Sequence, residues 1–190
     1  MVLVHPFRAL RPTPSLAPEV AAAPYDVISA GEAAETIRGN PRSFLRVSRA
    51  DAELPGVQPH ADTVYHRARE NLVAMERDGI LQRDGDPYLY LYQVTSGLRE
   101  VTGLVCTIGV DELTDGTIRS HELTRRDKEE DRTRHIEAVK AQTGLVFLFY
   151  LDDGRIGPGI GSLVPRDDLE LRSGDDERVR RAQPLLRHVA

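Results

Sequence analysis

DTVYHRARENLVAMERDGILQRDGDPYLYLYQVTSGLREVTGLVCTIGV, residues 62–110, decides the fold class. Over 62–78 the apolar residues Val64, Ala68, Leu72 and Met75 recur at three- and four-residue spacing, the period of an amphipathic helix. Gly79 supplies the stop, and Asp62 caps the helix or sits in its first turn. Residues 88–94 then alternate tyrosine with leucine, and residues 100–110 return as a long apolar run across the Ser96–Gly97 reversal. That pattern predicts a hairpin covered on both faces and central in its sheet. A strong helix followed by a strong hairpin predicts an α+β or α/β domain, with a mixed β-sheet and three main helices packed on it.

Working outward, Val2–Val4 reads as an edge strand. The four prolines Pro6, Pro12, Pro14 and Pro18 favour extended chain over helix. Ser29 and Glu32 form a capping box for a helix over 31–38, ended by Gly39-Asn40-Pro41. Residues 43–49 alternate polar and apolar, as a half-buried strand does, and 51–60 is a surface loop. Residues 111–116 form a turn. On the far side, Gly144 reads as a helix C-cap and 145–151 as a buried strand. Gly157, Pro158, Gly159 and Gly161 form a loop without the Lys-Ser/Thr of a phosphate-binding P-loop. The expected division is a domain over 1–165 and a charged tail over 166–190.

The chain has 190 residues, enough for one substantial core, with 40% hydrophobic and 29% charged residues. A net charge of −5 argues against non-specific nucleic-acid binding by the chain as a whole. A single cysteine, Cys106, excludes an internal disulfide framework and reads as a structural thiol in a reducing compartment. No apolar run approaches the roughly 18 residues of a membrane span, and a cytoplasmic location is the expectation.

The remaining long helix is unusual. In IRSHELTRRDKEEDRTRHIEAVKAQ, residues 118–142, no apolar side chain occurs from Arg125 to His135. Such a helix must project from the body, fray, or hold something polar. With Asp127 as cap, Arg125, Lys128 and Arg132 gather near its start, Lys128 and Arg132 sharing a face, and Thr124 adjoins them. Unpaired N–H groups and cations suit a phosphate or carboxylate there. His121 and Glu122 just upstream are candidate acid, base or metal ligand, and Asp26 is a further candidate carboxylate. The same charges also make ordinary solvated pairs, Glu129 with Arg132, Glu130 with Arg134 and Asp131 with His135. His121-Glu122 lacks the second histidine of a helical zinc motif, so no protein-held metal is expected.

PFRALRPTP at 6–14, APYDVIS at 23–29, NPRSFLRV at 40–47 and HELTRRDKEEDRTRH at 121–135, followed by FLFY, together resemble the DUF1015 family of bacterial and archaeal proteins, sometimes described as ParB-like. The resemblance implies that His121, Glu122, Thr124, Lys128, Asp131 and Arg132 belong to the family signature, with Pro24, Tyr25, Asp26, Asn40 and Pro41. It implies a nucleotide or phosphorylated ligand, ATP or ADP with Mg²⁺, and a distant relation to the free-serine kinases of the ParB/sulfiredoxin superfamily. An Asp-Gly-His-His-Arg segment of longer family members is not found here. Catalysis is therefore expected to need a partner chain or a missing C-terminal half carrying it, and a non-enzymatic regulatory or protein-interaction module is the alternative.

Overall fold

The computed structural model describes residues 4–96, 99–120, 123–149 and 182–183. The architecture is α+β, with helices beside small ladders that are antiparallel wherever a register is defined among the described residues. The chain divides into two compact units, one from residues 1–9, 83–121 and 147–190 and the other from 10–82 and 122–146.

The first unit carries the hairpin. Strand β1 (Val4–His5) pairs with β6 (Thr107–Ile108), and β4 (Tyr90–Ser96) pairs with β5 (Arg99–Val105) from Tyr90↔Val105 to Ser96↔Arg99. β4 is central, with β7 (Ala182–Gln183) on its other edge. Tyr90 is buried, its ring edge-on to Phe7 at 5.0 Å between centroids, and its hydroxyl lies 2.7 Å from the Asp84 carboxylate. A buried tyrosine needs such a partner for its polar end. The turn expected over 111–116 includes a one-turn helix, α5 (Asp111–Thr114).

The second unit holds α1 (Ala17–Val20), α2 (Ala30–Gly39), α3 (Leu45–Ser48), α4 (Asp62–Arg77) and α6 (Arg126–Val139), with β2 (Leu10–Pro12) beside β3 (Leu81–Arg83). α4 buries Val64, Ala68, Leu72 and Met75, the stripe read from its spacing, and these meet Val20, Val47, Ala50, Leu81 and Val139 in one core. Each large aliphatic side chain buried there contributes about 1.5–3 kcal/mol. Gly79 follows α4 at φ 71°, a left-handed conformation that glycine adopts without steric cost. The capping box is formed: the Ser29 hydroxyl accepts from Glu32 N, and the Ser29 N–H donates to the Glu32 carboxylate at 3.0 Å.

Several expectations are corrected. Pro18 lies inside α1, in its first turn, where a missing N–H breaks no helical bond. Residues 43–49 do not form a strand. Ser43, Leu45 and Val47 are buried alternately as expected, but α3 covers Leu45–Ser48. The part-buried Arg46 bonds Glu53 at 2.7 Å and Asn71 at 3.0 Å, so hydrogen bonds outside the segment override the local alternation. α6 ends on Lys140, left-handed at φ 60°, rather than at Gly144. Leu145, Val146, Phe147, Leu148 and Phe149 are exposed and outside any strand, where a buried strand was expected. The Gly157–Gly161 loop lies outside the described residues, as does the charged tail over 166–190 apart from Ala182–Gln183.

Candidate functional site

From Asp131 onward α6 has a buried stripe, and two of its three residues are polar. Asp131, His135 and Val139, spaced four apart, all turn inward. From Asp131 on, a hydrogen-bonded network takes the place of apolar anchors.

Asp131 is the hub. Its side chain is 8% exposed and receives four hydrogen bonds. Oδ1 accepts from the Tyr65 hydroxyl and from His60 Nδ1, both at 2.8 Å. Oδ2 accepts from Arg132 Nε at 2.9 Å and Nη2 at 2.5 Å. Burial alone would raise the Asp131 carboxyl, but the hydrogen bonds of Arg132, Tyr65 and His60 outweigh it and hold the group below its ordinary value. Asp131 is therefore an ionised acceptor. The same carboxylate, after burial as the larger cause, pushes the Tyr65 phenol up to about 12.

Two arginines extend the network to the Pro24–Ser29 turn. The Arg132 guanidinium lies over the Tyr25 ring, 4.1 Å from its centroid. Arg49 grips Asp51 through Nε and Nη2 at 3.0 and 2.9 Å, while its Nη1 donates to the carbonyls of Tyr25, at 3.1 Å, and Ile28. This segment has no sheet or helix of its own, so side chains supply the acceptors' partners. On the opposite flank Arg134 bonds Asp62 at 2.7 Å and lies over the Tyr65 ring at 4.7 Å.

His135 is 4% exposed. Its Nε2 lies 3.0 Å from the Val47 carbonyl, an acceptor only, so Nε2 carries the proton. Nδ1 has no hydrogen-bond partner among the described residues. Burial holds this imidazole below its ordinary value, in the neutral form.

The residues singled out by sequence divide into three groups. Tyr25, Asp131 and Arg132 come together in the network just described. Asp26 is exposed in the turn beside Tyr25, and Pro24 is at the turn's start, its carbonyl accepting from Val27 N at 3.2 Å. Asn40 and Pro41 serve a neighbouring corner: Asn40 Nδ2 donates to Glu19 O at 2.6 Å, and the Pro41 carbonyl accepts from Arg46. The helix start is looser. Arg125, not Asp127, is the N-cap, no side chain caps the first turn, and Arg125 bonds Asp127 at 2.7 Å. Thr124 is exposed, and Lys128 is exposed with no ion pair among the described residues. His121 and Glu122 lie outside the described residues.

The anticipated pairing of Asp131 with His135 is replaced by the bonds to His60, Tyr65 and Arg132, because the turned-in face meets α4 and the loop before it. His60, Tyr65 and Arg49 carry this site and were not singled out by sequence. The only hint was a tyrosine immediately beside the apolar stripe of α4. Cys106 is partly buried, and burial pushes its thiol up, as suits an unreactive cysteine. Among the described residues no group of three or more His, Cys, Asp or Glu could hold a metal ion, and no helix is long and apolar enough to cross a membrane.

An α+β protein whose signature helix is anchored by a buried carboxylate–arginine–tyrosine network is the class these features define. The chain belongs to the DUF1015 family, described as proteins of unknown function, whose model matches residues 4–182. No curated protein and no solved structure matches it.

Proposed function

We propose that the start of α6 binds the phosphate of a nucleotide or phosphorylated small molecule, as part of a phosphotransferase. The observation that carries this reading is the open first turn: a fourteen-residue helix with no side-chain cap, and Lys128 free of ion pairs among the described residues. Partial positive charge and outward N–H groups at that end favour an anion. Arg132, one turn further along the same face, is held in place by Asp131 and Tyr25. Thr124 and Arg125 flank the turn, and the distant relation to free-serine kinases that the DUF1015 resemblance implies supports the same ligand class. His121, Glu122 and Asp26 are the candidates for acting on substrate. ATP or ADP would bring Mg²⁺ with it. The exposed Asp127 and Glu130 are hard oxygen donors of the kind that ion takes, one or two sufficing when phosphates supply the rest.

Calorimetry with ADP, Mg-ATP and inorganic phosphate at millimolar concentration tests the reading. Binding that weakens several-fold in Lys128→Ala supports it. Absence of heat with all three ligands overturns it.

A second reading, a non-enzymatic interaction module, is favoured by the exposed apolar run Leu145–Phe149. It expects concentration-dependent self-association or a stable complex that Phe147→Ser and Phe149→Ser abolish, with no phosphate binding.

A further inference from the structure

His60 stands in an unusual position for a surface histidine. Its ring is 61% exposed, yet Nδ1 lies 2.8 Å from Oδ1 of the buried Asp131. An ionised carboxylate can only accept, so Nδ1 carries the hydrogen in the neutral imidazole. Nε2 is then an unprotonated lone pair, and no described residue engages it. The carboxylate does not need His60 for its own satisfaction. Oδ1 already receives the Tyr65 hydroxyl and Oδ2 receives Arg132 twice. Three fixed donors immobilise Asp131, and Asp131 in turn fixes the orientation and tautomer of the imidazole. A hydrogen bond from a largely exposed histidine adds little to stability. What the arrangement provides is an oriented base at the surface, held by the same carboxylate that holds the Arg132 guanidinium.

We propose that His60 is a catalytic general base, with Asp131 as its positioning residue, acting on a hydroxyl-bearing substrate of the phosphate site. The identity of the substrate rests on the phosphate reading above, whereas the His60–Asp131 pair does not. In the step, the substrate O–H bond breaks and an N–H bond forms at Nε2. The freed oxygen pair attacks the terminal phosphorus of a bound nucleoside triphosphate, and the bridging oxygen departs with the P–O electron pair as nucleoside diphosphate. The proton on Nε2 is returned to solvent. Arg132 steadies the developing charge on the phosphoryl oxygens, and Nδ1–H donating to Asp131 stabilises the imidazolium.

The whole chain offers internal controls. Among the described residues His5 and His66 are exposed and make no carboxylate contact, and His135 is buried. Long-range ¹H–¹⁵N correlation spectra of the unmutated protein should show His60 as the Nδ1–H tautomer; an Nε2–H tautomer overturns the proposal. Peptide mapping after diethyl pyrocarbonate treatment should show His60 modified several-fold faster than His5 and His66, with His135 unreactive. The excess rate should vanish in Asp131→Asn while His66 keeps its rate. A His60 no faster than those two overturns the pair. Inorganic phosphate or ADP should protect His60 but not His66. If calorimetry detects phosphate while His60 stays unprotected, the pair does not act at that site and the proposed substrate is wrong. If His60 reacts fast in a protein that binds no phosphate, the phosphate reading falls and the oriented base stands.

Discussion

Truncating the buried Asp131 should destabilise the helical unit by an amount that follows from its partners. In Asp131→Ala the Tyr65 hydroxyl, on a side chain 3% exposed, loses its acceptor, which costs about 1–3 kcal/mol. Arg132 loses its ion pair, but at 28% exposure its guanidinium rehydrates, so the additional cost is about 1 kcal/mol. His60 is largely in water already and adds almost nothing. The expected loss is therefore about 2–4 kcal/mol, against about 1 kcal/mol for Tyr65→Phe and less than about 0.5 kcal/mol for His60→Ala. Urea titrations followed by far-UV circular dichroism measure all three. A double-mutant cycle between Asp131→Ala and Tyr65→Phe should show coupling above about 0.5 kcal/mol. A His60→Ala variant as damaged as Asp131→Ala, or additive behaviour in the cycle, would refute the view of Asp131 as a buried anchor with an exposed functional arm.

His135 should make stability fall on acidification. Its folded value is depressed below the ordinary 6.5, so the unfolded chain takes up the proton first. The contribution is complete above 6.5 and is lost as pH drops through the folded value. In His135→Leu this limb should flatten in thermal melts taken across that range. A wild-type protein that gained stability over the same fall would contradict the assignment of a neutral buried imidazole. Lys140→Gly removes a side chain from a left-handed residue at the end of α6 and should stabilise by about 0.5–1 kcal/mol. An unchanged or lower urea midpoint would show that φ 60° at Lys140 carries no strain.

Much of the helical unit was legible because it rests on local rules. The stripe of α4, the Ser29 capping box and the Gly79 stop each need only a few neighbouring residues, and each is found where expected. The pairing of the hairpin was legible for the same reason, but the central and doubly covered position expected of both strands was not: β5 ends at Val105, lies at the edge of the described sheet and exposes Val101. Residues 43–49 show the limit. Leu45 and Val47 are buried as their alternation suggests, but Ser43 is buried too and the backbone is helical, with Arg46 bonded to Glu53 seven residues on and to Asn71 twenty-five residues on. The start of α6 shows it again: Asp127 had the chemistry of a cap, while Arg125 occupies the position.

For the candidate site, the sequence by itself determined that a helix lacking apolar anchors over 125–135 must project, fray or hold something polar; it supplied Asp131 and Arg132 among that helix's charges, and the family resemblance added Tyr25. Only the tertiary structure decided which polar groups meet there. His60 lies 71 residues from Asp131 and Tyr65 lies 66 residues away. Burial of Asp131 and its ionised state are properties of that meeting, because a carboxylate's charge depends on the donors packed around it and not on its neighbours along the chain.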